Sequence, residues 1–110
     1  MNITLPEPIA TYFREKNRDN VDEVISCFSP TATVIDEGEK MKMTGHDSLR
    51  KWMTGTVADY KLSTHVIKSL ETEENTTVTA LVSGDFSGSP IEFEYEFKIQ
   101  AGKIEQLTIR

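Results

Sequence analysis

Ile91-Glu92-Phe93-Glu94-Tyr95-Glu96-Phe97-Lys98-Ile99 alternates without a break between large apolar and charged side chains. Strand side chains point to opposite faces in turn. Ile91, Phe93, Tyr95, Phe97 and Ile99 therefore share one face, and Glu92, Glu94, Glu96 and Lys98 share the other. The period of two over nine residues excludes a helix here. It requires a sheet with one face on an apolar interior and the other on water or a polar interface.

The residues around this run read the same way. Ser87-Gly88-Ser89-Pro90 before it and Ala101-Gly102 after it are turns. Thr76 to Phe86 is rich in Thr and Val and reads as a strand, and Glu73-Glu74-Asn75 turns into it. Tyr60 to Glu71 alternates more loosely, and Ile104, Leu107 and Ile109 end the chain as a strand. Four long strands joined by short turns thus occupy the second half.

The first half is helical. Leu5, Ile9, Tyr12, Phe13 and Lys16 follow helical spacing over Leu5 to Asn17, with Pro6 and Pro8 in the first turn and Lys16 snorkelling outward at the end. Asn20 is placed to cap a second helix, with Glu23 three residues on, whose face is Val21, Val24, Ile25 and Phe28 and which Ser29-Pro30 stops. Thr31 to Asp36 is a strand, and Glu37-Gly38-Glu39 turns it into a hairpin with Lys40 to Thr44. Thr44 and Asp47 are candidate caps for a third helix carrying Leu49, Trp52, Met53 and Val57 on one face, with Gly55 marking its end. Three helices, a short hairpin among them and then four strands predict an α+β domain, the helices gathered on one face of a curved, largely antiparallel mixed sheet. A curved sheet closed by helices makes a cone with an apolar hollow, a natural place for a pocket.

At 110 residues the chain is expected to be one domain, residues 1–110. The net charge of −6, with no basic stripe, disfavours nucleic acid and an anionic membrane surface. No apolar run approaches the roughly 18 residues of a membrane span. Met1-Asn2-Ile3-Thr4-Leu5-Pro6 lacks the basic start and apolar core of a signal peptide, so the cytoplasm is the expected location. Cys27 is the sole cysteine, which excludes an internal disulfide, and its place in the second helix makes it a filler or a surface thiol. With only His46 and His65 and no cysteine–histidine cluster, neither a metal nor another cofactor is expected.

Two polar residues on apolar faces stand out. Asp36 closes Ala32-Thr33-Val34-Ile35 and points the same way as Ala32 and Val34. An acid turned toward an apolar interior loses hydration, which suits it to take a proton. The bland alternative is an aspartate bonding the turn that contains Gly38. Tyr12 lies on the apolar stripe of the first helix, as a hydrogen-bond donor in a pocket or as an ordinary core aromatic.

Four stretches in this order resemble the NTF2-like superfamily, and within it the SnoaL-like polyketide cyclases and the steroid Δ5-3-ketoisomerases. Ala-Thr-Val-Ile-Asp-Glu-Gly at 32–38 is similar to the family's first strand, which ends in an acid. Thr-Gly-His-Asp-Ser-Leu-Arg-Lys-Trp at 44–52 is similar to its Gly-led third helix. Ser-Gly-Asp-Phe-Ser-Gly-Ser-Pro at 83–90 and Ala-Gly-Lys-Ile-Glu-Gln-Leu at 101–107 are similar to a later strand-turn and the last strand. The likeness covers nearly the whole chain and implies the cone-shaped NTF2-like fold. In the ketosteroid isomerases a helix-1 tyrosine donates a hydrogen bond to the enolate and an aspartate ending the first strand removes the proton. The resemblance implies these roles for Tyr12 and Asp36. The family's third participant, a protonated acid in a late strand, is replaced by Tyr95, whose hydroxyl is also a donor. That departure weakens the case for full isomerase chemistry.

The expected ligand wall is Trp52, Phe86, Phe93 and Phe97, each of which also reads as core. His65 shares a strand face with Ile67, toward the pocket or a dimer interface; His46 opens the third helix and Asp85 turns away from Phe86, and both are expected to be exposed. Two functions remain open. One is proton transfer next to a carbonyl in a small apolar organic molecule, with Asp36 as base and Tyr12 with Tyr95 as oxyanion donors. The other is a non-catalytic small-ligand-binding or structural dimerisation module. In either case Val78, Ala80 and Val82 on one side of their strand and Thr77, Thr79 and Leu81 on the other predict a homodimer that covers the outer sheet face.

Overall fold

A computed structural model of the protein describes residues 4–57 and 63–110, with side chains of residues 56 and 57 excepted. The expected strand start at Tyr60 and the first three residues lie outside the described residues, as does the side chain of Val57. The elements run α1 (Glu7–Asn17), α2 (Val21–Ser26), β1 (Phe28–Asp36), β2 (Met41–Thr44), α3 (His46–Trp52) continued by a π-helical turn (Met53–Val57), β3 (Ser63–Glu71), β4 (Thr76–Ser83), β5 (Ile91–Gln100) and β6 (Lys103–Ile109). This is the expected α+β arrangement: helices packed on a curved, open, six-stranded sheet.

The strand order is β2-β1-β6-β5-β4-β3. Every pairing is antiparallel except β1 with β6, which is parallel. The sheet is therefore mixed and largely antiparallel. Two cross-strand rows on its inner face organise the interior. One runs Asp36, Ile109, Tyr95, Val78 from β1 through β6 and β5 to β4. The next runs Val34, Leu107, Phe97, Thr76. All but Asp36 are buried, and Val34, Leu107, Phe97 and Val78 are fully so.

Helix α1 lays Ile9, Tyr12 and Phe13 on these rows. The rings of Tyr12, Phe13, Phe28, Tyr95 and Phe97 meet mostly edge to face, with centroids 5.0 to 6.4 Å apart. That is the preferred geometry of aromatic pairs, which contribute about 0.5–1.5 kcal/mol each beyond burial. Asn17 pins the end of α1 to the sheet. Its Nδ2 donates to the Thr64 carbonyl at 2.7 Å and its Oδ1 accepts from the Thr64 N–H at 2.8 Å. One side chain thus satisfies both backbone groups of a residue on the edge strand β3.

Several local expectations change; Asn20 makes no side-chain cap to α2, and β4 ends at Ser83 rather than Phe86. The strand β1 begins at Phe28, not Thr31, so Phe28 sits in the sheet core and Cys27 ends α2 rather than lying inside it. The register shift between Phe28 and Thr33 lets Pro30 fall where no ladder N–H is required. The cap of α3 is Gly45, with no side-chain capping bond from Thr44 or Asp47. Gly45 has φ +87° and ψ 158°, a backbone state open almost only to glycine. A Cβ there would find its nearest neighbour, the Pro30 carbonyl oxygen, at 3.9 Å, so backbone rather than space selects glycine. Finally, His46 is only half-exposed: its Nε2 donates to the Phe28 carbonyl at 3.0 Å and ties α3 to the start of β1.

Candidate functional site

The inner row of β1, β6 and β5 and the inward stripe of α1 bring Asp36, Tyr95 and Tyr12 to one region. Tyr12 and Tyr95 have ring centroids 6.4 Å apart. Asp36 is two strands from Tyr95, with Ile109 between. Its carboxylate field reaches both phenols. Tyr12 is held well above the usual phenol range, first by burial, then by the neighbouring Tyr95, Cys27 and Asp36. Tyr95 is raised by burial and by Asp36, while the adjacent Thr64 side chain pulls the other way. Both hydroxyls are therefore firmly protonated and can act as donors.

The Tyr12 hydroxyl is fully buried and has no hydrogen-bond partner among the described residues. A buried hydroxyl without a partner costs about 1–3 kcal/mol. The indole Nε1 of Trp52, a residue only 4% exposed, is likewise buried and unpartnered. With the Thr64 hydroxyl, three buried donors thus lack a partner among the described residues.

Asp36 is half-buried and does two things. Strand parity puts it on the inner face with Ala32 and Val34. Its Oδ1 also accepts from the Glu39 backbone N–H at 3.3 Å, bracing the β1–β2 turn. Asp36 thus faces inward at the rim of the interior and also bonds the turn that contains Gly38.

The remaining expected residues separate. Phe97 is fully buried; Phe93 and Phe86 are half-buried and pack against the core. Phe93 faces inward, paired with the buried Ala80. His65 does not reach the interior. It is exposed on the outer face opposite Leu81, because the inward positions of β3 are taken by Thr64 and Val66. Asp85 is exposed. Cys27 is buried, its Sγ donates to the Val24 carbonyl at 2.8 Å, and burial pushes its thiol up to about 12, so it is an inert packing residue.

One residue of the site was misread. Lys16 does not snorkel into solvent; it is 7% exposed. Its Nζ lies 5.3 Å from the Tyr12 ring centroid and 5.4 Å from that of Tyr95. Ammonium over aromatic faces is attractive, by up to about 2 kcal/mol when desolvated. No carboxylate among the described residues forms an ion pair with it, since Glu15 beside it pairs outward with Arg14 and Arg18. Burial lowers the Lys16 ammonium to about 8, against a smaller opposing pull from Asp36. The available signal was its place at the end of the Ile9, Tyr12, Phe13 stripe.

The chain is similar to known proteins in family and fold. The family described as "SnoaL-like domain" matches residues 9–106. Among the curated proteins none matches the chain. A Sinorhizobium meliloti protein assigned as a polyketide cyclase is 29% identical, with a TM-score of 0.91 over 96% of this chain and 95% of that one. A protein with a ketosteroid isomerase-like fold from Catenulispora acidiphila, in complex with trimethylamine, is 18% identical, with a TM-score of 0.84 over 97% and 86%. An NTF2-like protein from Cytophaga hutchinsonii is 14% identical, with a TM-score of 0.80 over 100% and 91%. The last two are similar in fold alone.

Proposed function

The chain belongs to the SnoaL-like domain family, and from that premise we propose that it holds a small apolar organic molecule in the cone and moves a proton next to its carbonyl. Asp36 takes the proton from carbon. Tyr12 and Tyr95 donate to the oxygen on which negative charge develops. The observation that carries this reading is the Tyr12 hydroxyl, buried without a partner beside Tyr95 and within the field of Asp36. A buried donor left without a partner costs stability in the free protein. It contributes most where charge appears on an acceptor, because nothing must reorganise and no water competes.

A planar phenolate mimics an enolate and tests the donors directly. The protein should bind it, and Tyr12→Phe should weaken binding by about 1–3 kcal/mol. The same substitution should leave the stability of the free protein unchanged or slightly higher, since it removes an unsatisfied group. Equal phenolate affinity in isothermal titration would reduce Tyr12 to core packing.

The outer sheet face supports a second element, self-association. Leu70 and Leu81 are 68% and 36% exposed there, among Thr77, Thr79 and the glutamates of β5. A homodimer about a two-fold axis would cover them. Light scattering at micromolar concentration should give twice the mass of the chain; a monomer would remove this part of the reading. Should dimerisation hold and phenolate binding fail, the protein is a dimerisation module without chemistry.

A further inference from the structure

Lys16 is absent from the chemistry just described, yet it carries a charge into the interior. An ammonium group loses several kcal/mol of hydration on burial, and such a charge is ordinarily paired. Here the Nζ is enclosed by two phenol faces, with no ion pair among the described residues. The position is not an accident of a loose side chain. Lys16 stands next to Asn17, whose two hydrogen bonds to Thr64 lock the end of α1 onto the sheet. A side chain at the surface-facing positions of the same turn, such as Arg14, is exposed; Lys16 is turned in.

We propose that Lys16 is a carbonyl-reactive amine, which condenses with a small apolar aldehyde or ketone admitted beside the Tyr12 and Tyr95 rings to form an iminium. Three features of the surroundings serve that reaction. The aromatic rings beside the amine favour an uncharged organic carbonyl over water. The unpartnered Tyr12 hydroxyl is a donor for the carbonyl oxygen during attack. Burial also keeps a usable share of the amine neutral: at a value of about 8 roughly one molecule in ten carries a free lone pair at pH 7, against about one in a thousand or fewer for an ordinary lysine.

The step balances without an oxidant or reductant. The nitrogen lone pair attacks the carbonyl carbon, a C–N bond forms and the carbonyl π pair moves to oxygen. Counted from the ammonium form, two nitrogen protons leave with that oxygen as water and one stays on the C=N nitrogen. Asp36, whose charge acts on Lys16, Tyr12 and Tyr95 alike, is the group placed to carry protons to and from this region. The inference does not depend on Asp36 abstracting a proton from carbon, so it stands or falls separately from the reading above.

The test is reductive trapping. The protein is incubated with propanal and cyanoborohydride, which reduces an iminium to a stable secondary amine, and each lysine is read by peptide mass mapping. Lys16 should be modified at least about tenfold faster than the exposed lysines at pH 7, in line with its larger free-amine fraction. Its rate should level off above a midpoint near pH 8, while the exposed lysines go on rising toward their ordinary range above 10. Tyr12→Phe should slow the Lys16 reaction and leave the others unchanged. Lys16→Met should abolish the fast phase while the protein stays folded. Modification of Lys16 at or below the rate of the exposed lysines overturns the proposal, whether because the amine is unreactive or because propanal does not enter.

Discussion

Lys16→Met should make the protein more stable at pH 7 by about 3 kcal/mol. Each pH unit by which a folded-state value departs from the unfolded one corresponds to about 1.4 kcal/mol. The Lys16 ammonium falls from 10.5 to about 8, chiefly through burial. Methionine keeps the unbranched stem that packs on Tyr12 and Tyr95 and removes the charge. The pH dependence follows from linkage. Below pH 8 both folded and unfolded states carry the proton, and the full cost is present. Between 8 and 10.5 the unfolded chain keeps a proton that the folded protein has lost, so wild-type stability rises with pH. Above 10.5 the cost is gone. Other buried groups titrate in the opposite sense: Cys27, raised from 9.0 to about 12, and the raised phenols Tyr12 and Tyr95 each reduce stability as the unfolded chain ionises. Both proteins carry those groups, so the difference between them isolates Lys16. Urea titrations at pH 7, 8, 9 and 10 should show the advantage of methionine shrinking steadily. A variant less stable than wild type at pH 7, or a difference that ignores pH, would show that Lys16 is not a buried charge.

Asp36→Asn should lower the rate of proton exchange next to a bound carbonyl by about 10²–10⁴-fold, the usual contribution of a positioned general base. The measurement is loss of α-protons from a small cyclic ketone in deuterium oxide, followed by NMR with and without protein. Asparagine preserves the size of the side chain, and its carbonyl oxygen can still accept from the Glu39 N–H that Asp36 holds. The turn should therefore survive, and the two roles of Asp36 separate: thermal stability close to wild type, exchange lost. Exchange that persists in Asp36→Asn would assign the base elsewhere. Exchange absent in wild type as well would leave the family fold with a binding role only.

The fold was legible where one periodicity ran without competition. Ile91 to Ile99 could be nothing but a half-buried strand, and the structure extends it by one residue to Gln100. It was less legible where two patterns overlapped. Phe28 continues the helical spacing of Val21, Val24 and Ile25, yet it opens β1, because the sheet offers it a place against Tyr12 that no local rule contains. The α3 start was assigned to side-chain caps, but Gly45 ends β2's return by a backbone conformation, and Leu49 bonds the Gly45 carbonyl. In the site, strand parity placed Asp36 and Tyr95, and helical spacing placed Tyr12. Lys16 was missed for a physical reason. A lysine at the end of a helix reaches water unless something covers it, and what covers it is Tyr95, 79 residues further along the chain. His65 was ambiguous because β3 alternates weakly; its direction is set by register with β4, not by its own neighbours.

The strand of this sheet that comes latest in sequence, β6, is not at its edge. It lies in the middle, parallel to β1 on one side and antiparallel to β5 on the other. On a translating ribosome, the helices and the β1–β2 hairpin therefore wait for residues 103–109 before they can join the β3–β5 half. Until then both halves show open strand edges and the bare faces of Phe28 and Phe97 to chaperones and to one another. Contacts between residues so far apart in sequence also slow folding. Synthesis is thus a stage at which this architecture leaves strand edges unpaired.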